Sequence, residues 1–398
     1  MRISTATQND NAIRAITEQQ TRLAKTQSQV ASGKRVQTPA DDPAAAAQIL
    51  QLRRALAETE QHDRNTNTVI NRLNFEEQAV SDASDVLNRA REIAVQAGGT
   101  VLGDVGRAAI ATELGQRLEE LIGIANRQDA SGEYLFAGAS VAVQPFASTA
   151  TGVTYSGDGS SRRVEIGPRQ FVVDGHSGGS VFVAIPSGNG TFRTTAVATN
   201  TGNGSIDSGT IFDPLAWQSG NYTIQFSSPT AYQVRDAVNT LVASGNYTAG
   251  GAIDFRGARV QIAGAPATGD RFTVAPAGIE DVFATLANLQ AILAQPVTTS
   301  AAQGQLNTAI SHALTQLSSG LDHLSSVRAE VGARLSALDT ATNSRGALKV
   351  ELSSTLSGLQ DIDYAEAVAR MNQQLAGLQV AQQTYAKVSQ LSLFDYLR

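Results

Sequence analysis

The feature that most constrains the fold of this chain is a heptad-spaced apolar stripe at each end. Near the N-terminus, Ile16, Leu23 and Val30 recur every seven residues, which is coiled-coil spacing. The flanks of this stripe are Gln, Ser, Thr and Ala, so an isolated helix would bury too little apolar surface to offset its ordering entropy. A matching stripe near the C-terminus advances in alternating steps of four and three residues: Tyr364, Val368, Met371, Leu375, Leu378, Gln382 and Tyr385. Both ends are therefore predicted to be contact surfaces, with partner helices in the same chain or in a neighbouring subunit.

Composition excludes several classes of function. The formal net charge of −6, with 17% charged residues, leaves no basic footprint for a phosphate backbone, so nucleic acid is not an expected partner. The absence of Cys removes disulfides and thiolate chemistry. The first residues lack the apolar run of a secretory signal peptide, and no stretch is long and apolar enough for membrane insertion.

Helical periodicity dominates both flanks of the chain. Asp42 and Pro43 predict a capped helix start, and the apolar seam that follows continues to about residue 98. Asp104 is predicted to cap a third helix that ends near residues 131–132. After the middle of the chain, helical spacing returns at Val282, is broken by Pro296, and continues from Leu306 to Leu359.

The middle of the chain has a different pattern, with more than half of the 35 Gly residues lying between positions 134 and 277. One short helix is predicted around Tyr232, Val238 and Leu241. The predicted strands cover residues 163–166, 171–173, 181–185, 222–226 and 271–274, separated by Asp-Gly and Asn-Gly turn signals.

These patterns predict a multi-domain α plus β fold: an elongated α-helical bundle with coiled-coil-like terminal helices and an inserted, mainly-β domain. The predicted segments are the N-terminal helix of the terminal coiled-coil domain (1–42), the first part of the bundle (43–139), the inserted β-rich outer domain (140–277), the second part of the bundle (278–360) and the C-terminal helix of the coiled-coil domain (361–398).

Residues typical of catalysis or cofactor binding are not grouped in a way that predicts a site. The four His are isolated in sequence, and His312 and His323 on one helix lie about three turns apart, too far to share a metal ion. No Lys occurs between Lys34 and Lys349, which argues against Schiff-base chemistry and a Walker-type phosphate loop. We therefore predict no catalytic, cofactor-binding or metal-binding residues, and no enzyme activity.

Several segments resemble one protein family. Residues 31–43 (Ala-Ser-Gly-Lys-Arg-Val-Gln-Thr-Pro-Ala-Asp-Asp-Pro) resemble the end of its first helix, and residues 132–138 (Gly-Glu-Tyr-Leu-Phe-Ala-Gly) resemble the start of its outer domain. Residues 260–274 resemble a strand pair. Residues 361–366, predicted to form a cap with Glu366 reaching back, and the terminal Ser-Leu-Phe-Asp-Tyr-Leu at 392–397 are the strongest match. The chain thus resembles the hook-associated protein 3 family, the hook-filament junction proteins of bacterial flagella, and more loosely resembles flagellin.

The resemblance implies an extracellular structural protein of the flagellum, exported through the type III apparatus without a cleaved signal peptide. It implies self-association in a ring or helical lattice, with a neighbouring hook-associated junction protein, flagellin and a cytoplasmic export chaperone as partners. Met371, Leu375, Leu378 and Tyr385 are the candidates for chaperone binding. The predicted assembly residues are Ile16, Leu23, Val30, Val368, Met371, Leu375, Leu378, Tyr385, Leu391, Leu393, Phe394 and Tyr396.

Two alternatives remain open at this point. One is a flagellin filament subunit, which has similar ends. The other, from a different class, is a secreted carbohydrate-binding adhesin, suggested by Trp217, Tyr222, Tyr232 and Tyr247 among Asn and Thr in the middle region.

Overall fold

A computed structural model describes residues 5–99, 102–150 and 152–394. The chain divides into two compact units, Met1–Arg64 with Thr340–Arg398, and Asn65–Asp339. The described ranges form six α-helices: α1 (Thr5–Ser32), α2 (Pro43–Gly99), α3 (Asp104–Ala125), α4 (Val282–Leu293), α5 (Ser300–Gln360) and α6 (Tyr364–Phe394). Terminal helices around a β-rich middle confirm the predicted fold class, whereas the predicted five-segment division stays a prediction.

Two helix starts in the first unit, those of α2 and α6, are capped by Asp side chains. Asp42 Oδ1 accepts a hydrogen bond from the backbone N–H of Ala45 at 3.0 Å, which confirms the cap predicted before Pro43. At the start of α6, Asp363 Oδ1 accepts from the N–H groups of Ala365 at 2.9 Å and Glu366 at 3.2 Å. The predicted return contact of Glu366 is wrong, because its carboxylate instead accepts a hydrogen bond from Arg370 one turn later.

The boundaries of α3 differ from those predicted. Gly103 is the N-cap residue, and Asp104 is already helical, with its carboxylate paired to Arg107. The helix ends at Ala125, six residues before the predicted end, because the side chain of Asn126 bonds in both directions to the backbone of Phe146, at 2.8 and 2.9 Å. The Asn126 side chain, at the end of the helix, therefore satisfies both the N–H and the C=O of Phe146.

The second unit has a helical core that surrounds a cluster of aromatic rings. Leu87, Leu114 and Leu121 are among its fully buried side chains. Phe182 contacts three other rings with centroid distances of 5.0 to 5.9 Å: Phe136, Phe146 and Phe283. The strand predicted at residues 181–185 is wrong, since Gly179–Val183 forms a π-helical turn. The adjacent Val181 and Phe182 are both buried, whereas a strand would direct them to opposite faces.

Within the described residues the β region contains fifteen short strands, and the predicted strands at 163–166, 171–173, 222–226 and 271–274 are confirmed. They are β1 (Phe146–Thr149), β2 (Gly152–Tyr155), β3 (Arg163–Gly167), β4 (Gln170–Val173), β5 (Ile185–Pro186), β6 (Phe192–Ala196), β7 (Ser205–Ile206), β8 (Thr210–Ile211), β9 (Tyr222–Ser228), β10 (Ala231–Asp236), β11 (Leu241–Asn246), β12 (Ala252–Phe255), β13 (Ala258–Ala263), β14 (Arg271–Pro276) and β15 (Ile279–Glu280).

Two antiparallel sheets enclose the β core. The larger sheet has the order β11, β10, β9, β14, β6, and the smaller has the order β12, β13, β7, with β8 also pairing with β13. Alternate side chains such as Ile224 and Phe226 of β9 face Val260 and Ile262 of β13 in one buried cluster. The two sheets therefore pack as a small sandwich.

The short helix predicted around Tyr232, Val238 and Leu241 is wrong, because these residues belong to the β10–β11 hairpin. Asp236 Oδ1 accepts from the N–H groups of Val238 at 3.1 Å and Thr240 at 2.8 Å, and Asn239 has a φ of 67°. An Asp that caps its own turn and an Asn in the left-handed region stabilise a hairpin loop rather than a helix.

Candidate assembly interface

Helices α1 and α6 form an antiparallel pair in the first unit. The backbone N–H of Ile362 donates to the carbonyl of Gly33 at 3.0 Å, and Gln19 Nε2 donates to the carbonyl of Gln374 at 3.3 Å, so the contacts advance in opposite directions along the two helices. Of the predicted N-terminal stripe, Leu23 is buried, and Ile16 and Val30 are half-buried. The predicted stripe thus lies on the paired face of α1.

The paired face of α6 is shifted relative to the predicted stripe. Met371, Leu375, Leu378 and Tyr385 are half-buried as expected, but Val368 is 39% exposed. Tyr364 and Gln382 are also exposed. The covered positions advance in steps of four and three: Ala367, Met371, Gln374, Leu378, Ala381 and Tyr385. The apolar pattern missed three of these, Ala367, Gln374 and Ala381. Heptad spacing alone does not distinguish the two registers, because both follow the same alternation of four and three.

Other predicted assembly residues lie beyond the part that can be described. The backbone of Leu391, Leu393 and Phe394 belongs to α6, but their side chains lie outside the described residues, as does all of Tyr396. The assembly and chaperone roles of the whole set stay predictions.

Polar residues interrupt the seam on both helices. Gln19 and Thr26 lie between the apolar positions of α1, and Gln374 lies between Met371 and Leu378 on α6. The Oε1 atom of Gln374 is buried without a hydrogen-bond partner among the described residues. Such an atom costs about 1–3 kcal/mol. The seam therefore contributes less stability than a fully apolar seam of the same length would.

The connections next to the pair are well fixed. Gln360, at the end of α5, accepts a backbone hydrogen bond from Arg35 at 2.7 Å, and its side chain accepts one from Arg53 at 3.0 Å. Lys25 Nζ lies 2.7 Å from Asp41 Oδ1. This contact, with backbone N–H groups of the turn, holds the pKa of the Asp41 carboxyl well below its usual range. The turn therefore fixes the direction in which the chain enters and leaves the helix pair.

Apolar side chains also remain uncovered on the outer faces of the pair. Ile13 of α1 is 49% exposed and Val380 of α6 is 62% exposed, in addition to Val368. Scattered exposed apolar residues are ordinary, but here they lie on the same two helices whose mutual seam is weak. The pair thus leaves apolar surface uncovered in the single chain.

The described residues include no group of three or more His, Cys, Asp or Glu that could hold a metal ion. His312 lies 3.6 Å from Glu280, and His323 Nε2 lies 2.7 Å from the carbonyl of Ser180, so each has a structural partner. Over the same ranges, we find no helix whose length and apolar content would allow it to cross a bilayer.

Three family models match the sequence. The bacterial flagellin N-terminal helical region matches residues 3–141, and the bacterial flagellin C-terminal helical region matches residues 308–397. The D2-like domain of flagellar hook-associated protein 1 matches residues 195–276, which contain most of the sandwich.

Individual relatives agree with these matches. Flagellar hook-associated protein 3 of Salmonella typhimurium strain LT2 is 34% identical over 187 residues, which are 47% of this chain and 58% of that relative. This chain therefore aligns with little more than half the length of that protein. A crystal structure of FlgL from Xanthomonas campestris is 35% identical, covering 77% of this chain and 99% of the other, with a TM-score of 0.73. Flagellar hook-associated protein 3 from Legionella pneumophila is 30% identical, covering 78% and 98%, with a TM-score of 0.75. The chain belongs to the hook-associated protein 3 (FlgL) family of bacterial flagella.

Proposed function

We propose that this chain is a structural subunit of the extracellular flagellum that joins the hook to the filament and polymerises through its terminal helices. The observation that carries the proposal is the α1–α6 pair, in which a partly polar seam and exposed apolar side chains occur on the same two helices. Its neighbours would be further copies in a ring or helical lattice, a second hook-associated junction protein and flagellin. Its role is mechanical, with no catalytic step.

Ordering of the ends would accompany assembly. In the isolated subunit the pair buries few apolar side chains, with Leu23 and Ala367 the well-covered ones among the described positions of α1 and α6. Neighbouring subunits would cover Ile13, Val368 and Val380 and add the missing apolar area. Weakly held ends also suit a chain that leaves the cell unfolded through the export apparatus, without a cleaved signal peptide.

The test of this mechanism is Leu378→Asp. A carboxylate at this half-buried seam position must lose hydration to pair with α1, so incorporation at the hook-filament junction should fall at least about tenfold, the effect of about 1.4 kcal/mol. The control is Gln373→Asp, which adds the same charge at an exposed position of α6. The Trp217 fluorescence unfolding transition, which reports the unit of residues 65–339, should be unchanged in both variants. Normal incorporation of the Leu378→Asp variant would refute the proposal.

A cytoplasmic export chaperone is the partner proposed for the same face of α6. Met371, Leu375, Leu378 and Tyr385 are half-buried in the helix pair, so a chaperone could reach them only after α6 separates from α1. Deletion of residues 361–398 should abolish pull-down of the chaperone, whereas deletion of residues 1–32 should preserve or increase it. Undiminished binding after the C-terminal deletion would exclude this site.

Position on the flagellum separates the junction protein from flagellin. Immunogold labelling of purified flagella should give one band where the hook meets the filament. Uniform labelling along the filament would favour a flagellin subunit instead.

The aromatic residues that suggested an adhesin pack in the sandwich core or, for the half-buried Trp217 and Tyr232, against it. Tyr222 and Tyr247 are buried, and the Trp217 ring lies 5.4 Å from that of Phe192 and 6.4 Å from that of Tyr222. Rings already packed against one another are not free to stack on sugars. Nothing in the geometry of these residues favours carbohydrate binding.

A further inference from the structure

A cleft of about 620 Å³ lies within the second unit, between the sandwich and the helices α4 and α5. Its volume falls in the range of about 300–1,000 Å³ that is typical of ligand sites. One wall is β6, the edge strand of the five-stranded sheet. The opposite side, from α4 and α5, alternates small or apolar side chains with polar ones: Ala284, Thr285, Asn288, Leu289, Gln305, Thr308, Ala309, His312 and Ala313. The cleft therefore combines an unpaired strand with a floor of mixed polarity.

The hydrogen bonds of β6 show which of its backbone groups are free. Val197 donates to the carbonyl of Arg271 at 3.1 Å, and Ala277 donates to the carbonyl of Thr191 at 3.0 Å. In this register the odd-numbered residues of β6 bond to β14, so the N–H and C=O groups of the even-numbered residues point away from it. The even-numbered Phe192 follows this rule, since both its groups bond to Asn189.

Two residues, Thr194 and Ala196, therefore present four backbone groups to the free edge. No backbone hydrogen bond within the described ranges uses these groups, and both residues line the cleft. Unpaired edge groups template the addition of another strand unless charges, bulges or a covering element prevent it. Here a cleft, rather than a covering element, lies alongside them.

The charged groups of the cleft indicate which side chain a bound strand would carry. Glu280 is occupied within the protein, 3.6 Å from His312 and 3.5 Å from the hydroxyl of Thr285. Arg193 is exposed and has no ion-pair partner among the described residues. The free charge of the site is thus one guanidinium on the edge strand itself, which favours an acidic side chain directly opposite.

The walls of the cleft are fixed before anything binds. On α5, Thr308 Oγ1 accepts from the N–H of Ile206 at 3.3 Å, and Gln305 Nε2 donates to the carbonyl of Ala198 at 3.1 Å. A preformed site avoids part of the ordering cost of binding.

We propose that this cleft binds an extended segment of a partner protein, which adds a strand to β6 and places an acidic side chain against Arg193. Main-chain hydrogen bonds to Thr194 and Ala196 supply affinity, and the charge pair and the small residues of the floor supply specificity. The inference does not depend on the junction role, because it concerns residues 187–313 and not the terminal helices.

The test uses the full chain and the probe peptide acetyl-Thr-Val-Thr-Val-Glu-Val-amide. Its two inner valines would lie opposite Thr194 and Ala196, with the Glu opposite Arg193. Binding should increase the protection of the Thr194 and Ala196 amides from hydrogen exchange, measured by NMR, at least tenfold. Arg193 and Thr195, whose amides already bond to β14, serve as internal controls. A peptide N-methylated at the first two valines cannot donate to β6 and should bind at least tenfold more weakly.

Charge reversal tests the role of Arg193. Arg193→Glu should weaken binding of the Glu peptide at least fivefold and restore it for the peptide with Lys in place of Glu, whereas the exposed Arg91→Glu should change neither. Absence of binding, or equal binding of the N-methylated peptide, would overturn the proposal. Protection of Thr194 and Ala196 that rises with protein concentration without peptide would also overturn it, because a second copy of the chain would then be the occupant.

Discussion

The helix pair α1–α6 and the helical core of residues 65–339 are built from the same kind of element but bury very different side chains. In the core, Leu87, Leu114 and Leu121 are completely buried, and four Phe rings pack among the helices. In the pair, Gln19, Thr26 and Gln374 occupy seam positions that would be apolar in the core. The core therefore gains more stability from its own packing than the pair does, and our proposal is that other molecules complete the pair.

The largest expected effect comes from making the same Leu→Ala substitution in each of the two regions. Leu87→Ala should destabilise the second unit by about 3 kcal/mol, since it removes a fully buried side chain and leaves a cavity. Leu23→Ala in α1 should leave that unit unchanged. Urea unfolding followed by Trp217, the one Trp of the chain, measures the second unit. An equal shift in the two variants would show that the pair and the core form one cooperative structure.

A smaller effect of opposite sign is expected in the seam. Gln374→Leu removes the buried, unpaired Oε1 atom and adds apolar surface, so it should stabilise the α1–α6 pair by about 1–2 kcal/mol. Hydrogen exchange of the α1 and α6 amides in the isolated subunit measures this gain. Gln373→Leu, at an exposed position, is the matched control. Faster exchange in the Gln374→Leu variant would mean that this Gln stabilises the pair.

The smallest expected effect concerns His176 in the second unit. Burial disfavours its charged form, but hydrogen bonds to Glu76 at 2.6 Å and Glu330 at 3.1 Å outweigh burial and raise the pKa of His176. The Arg334 guanidinium lies 2.9 Å from Nε2 of His176 and opposes this rise. The two carboxylates together outweigh both burial and Arg334.

The direction of the pH dependence follows from the raised pKa. Stability contributed by charged His176 is fully present below its unfolded pKa of about 6.5 and is lost as pH rises through the higher folded value. The Trp217 transition of the natural chain should therefore fall more between pH 6 and pH 8.5 than that of His176→Gln. Glu330→Gln, which removes one acceptor, should give an intermediate slope. Parallel slopes in all three proteins would contradict this account.

Sequence reasoning succeeded where the information is local or periodic. Asp42 before Pro43 identified the start of α2, and the heptad stripes identified both terminal helices and the long α5. It failed where tertiary packing decides the conformation. The apolar run at residues 181–185 reads as a strand, but Val181 and Phe182 form a helical turn in which both adjacent side chains are buried in one core.

The sequence identified only some of the seam residues of the α1–α6 pair, for a related reason. Apolar periodicity located Leu23 and Leu378, but Ala367 and Gln374 carry no hydrophobic signal although they occupy covered seam positions. The register of α6 in the pair therefore depends on small and polar residues as well as on apolar ones. This register becomes apparent only from the position of α1.

The central claim is that the terminal helix pair is incomplete until neighbouring subunits cover it. The most direct measurement is hydrogen exchange with mass spectrometry on the isolated subunit and on assembled junctions. We predict that α1 and α6 exchange at least about a hundredfold faster than α2–α4 in the isolated subunit, and become protected on assembly. Equal protection of all helices in the isolated subunit, with no change on assembly, would contradict the account.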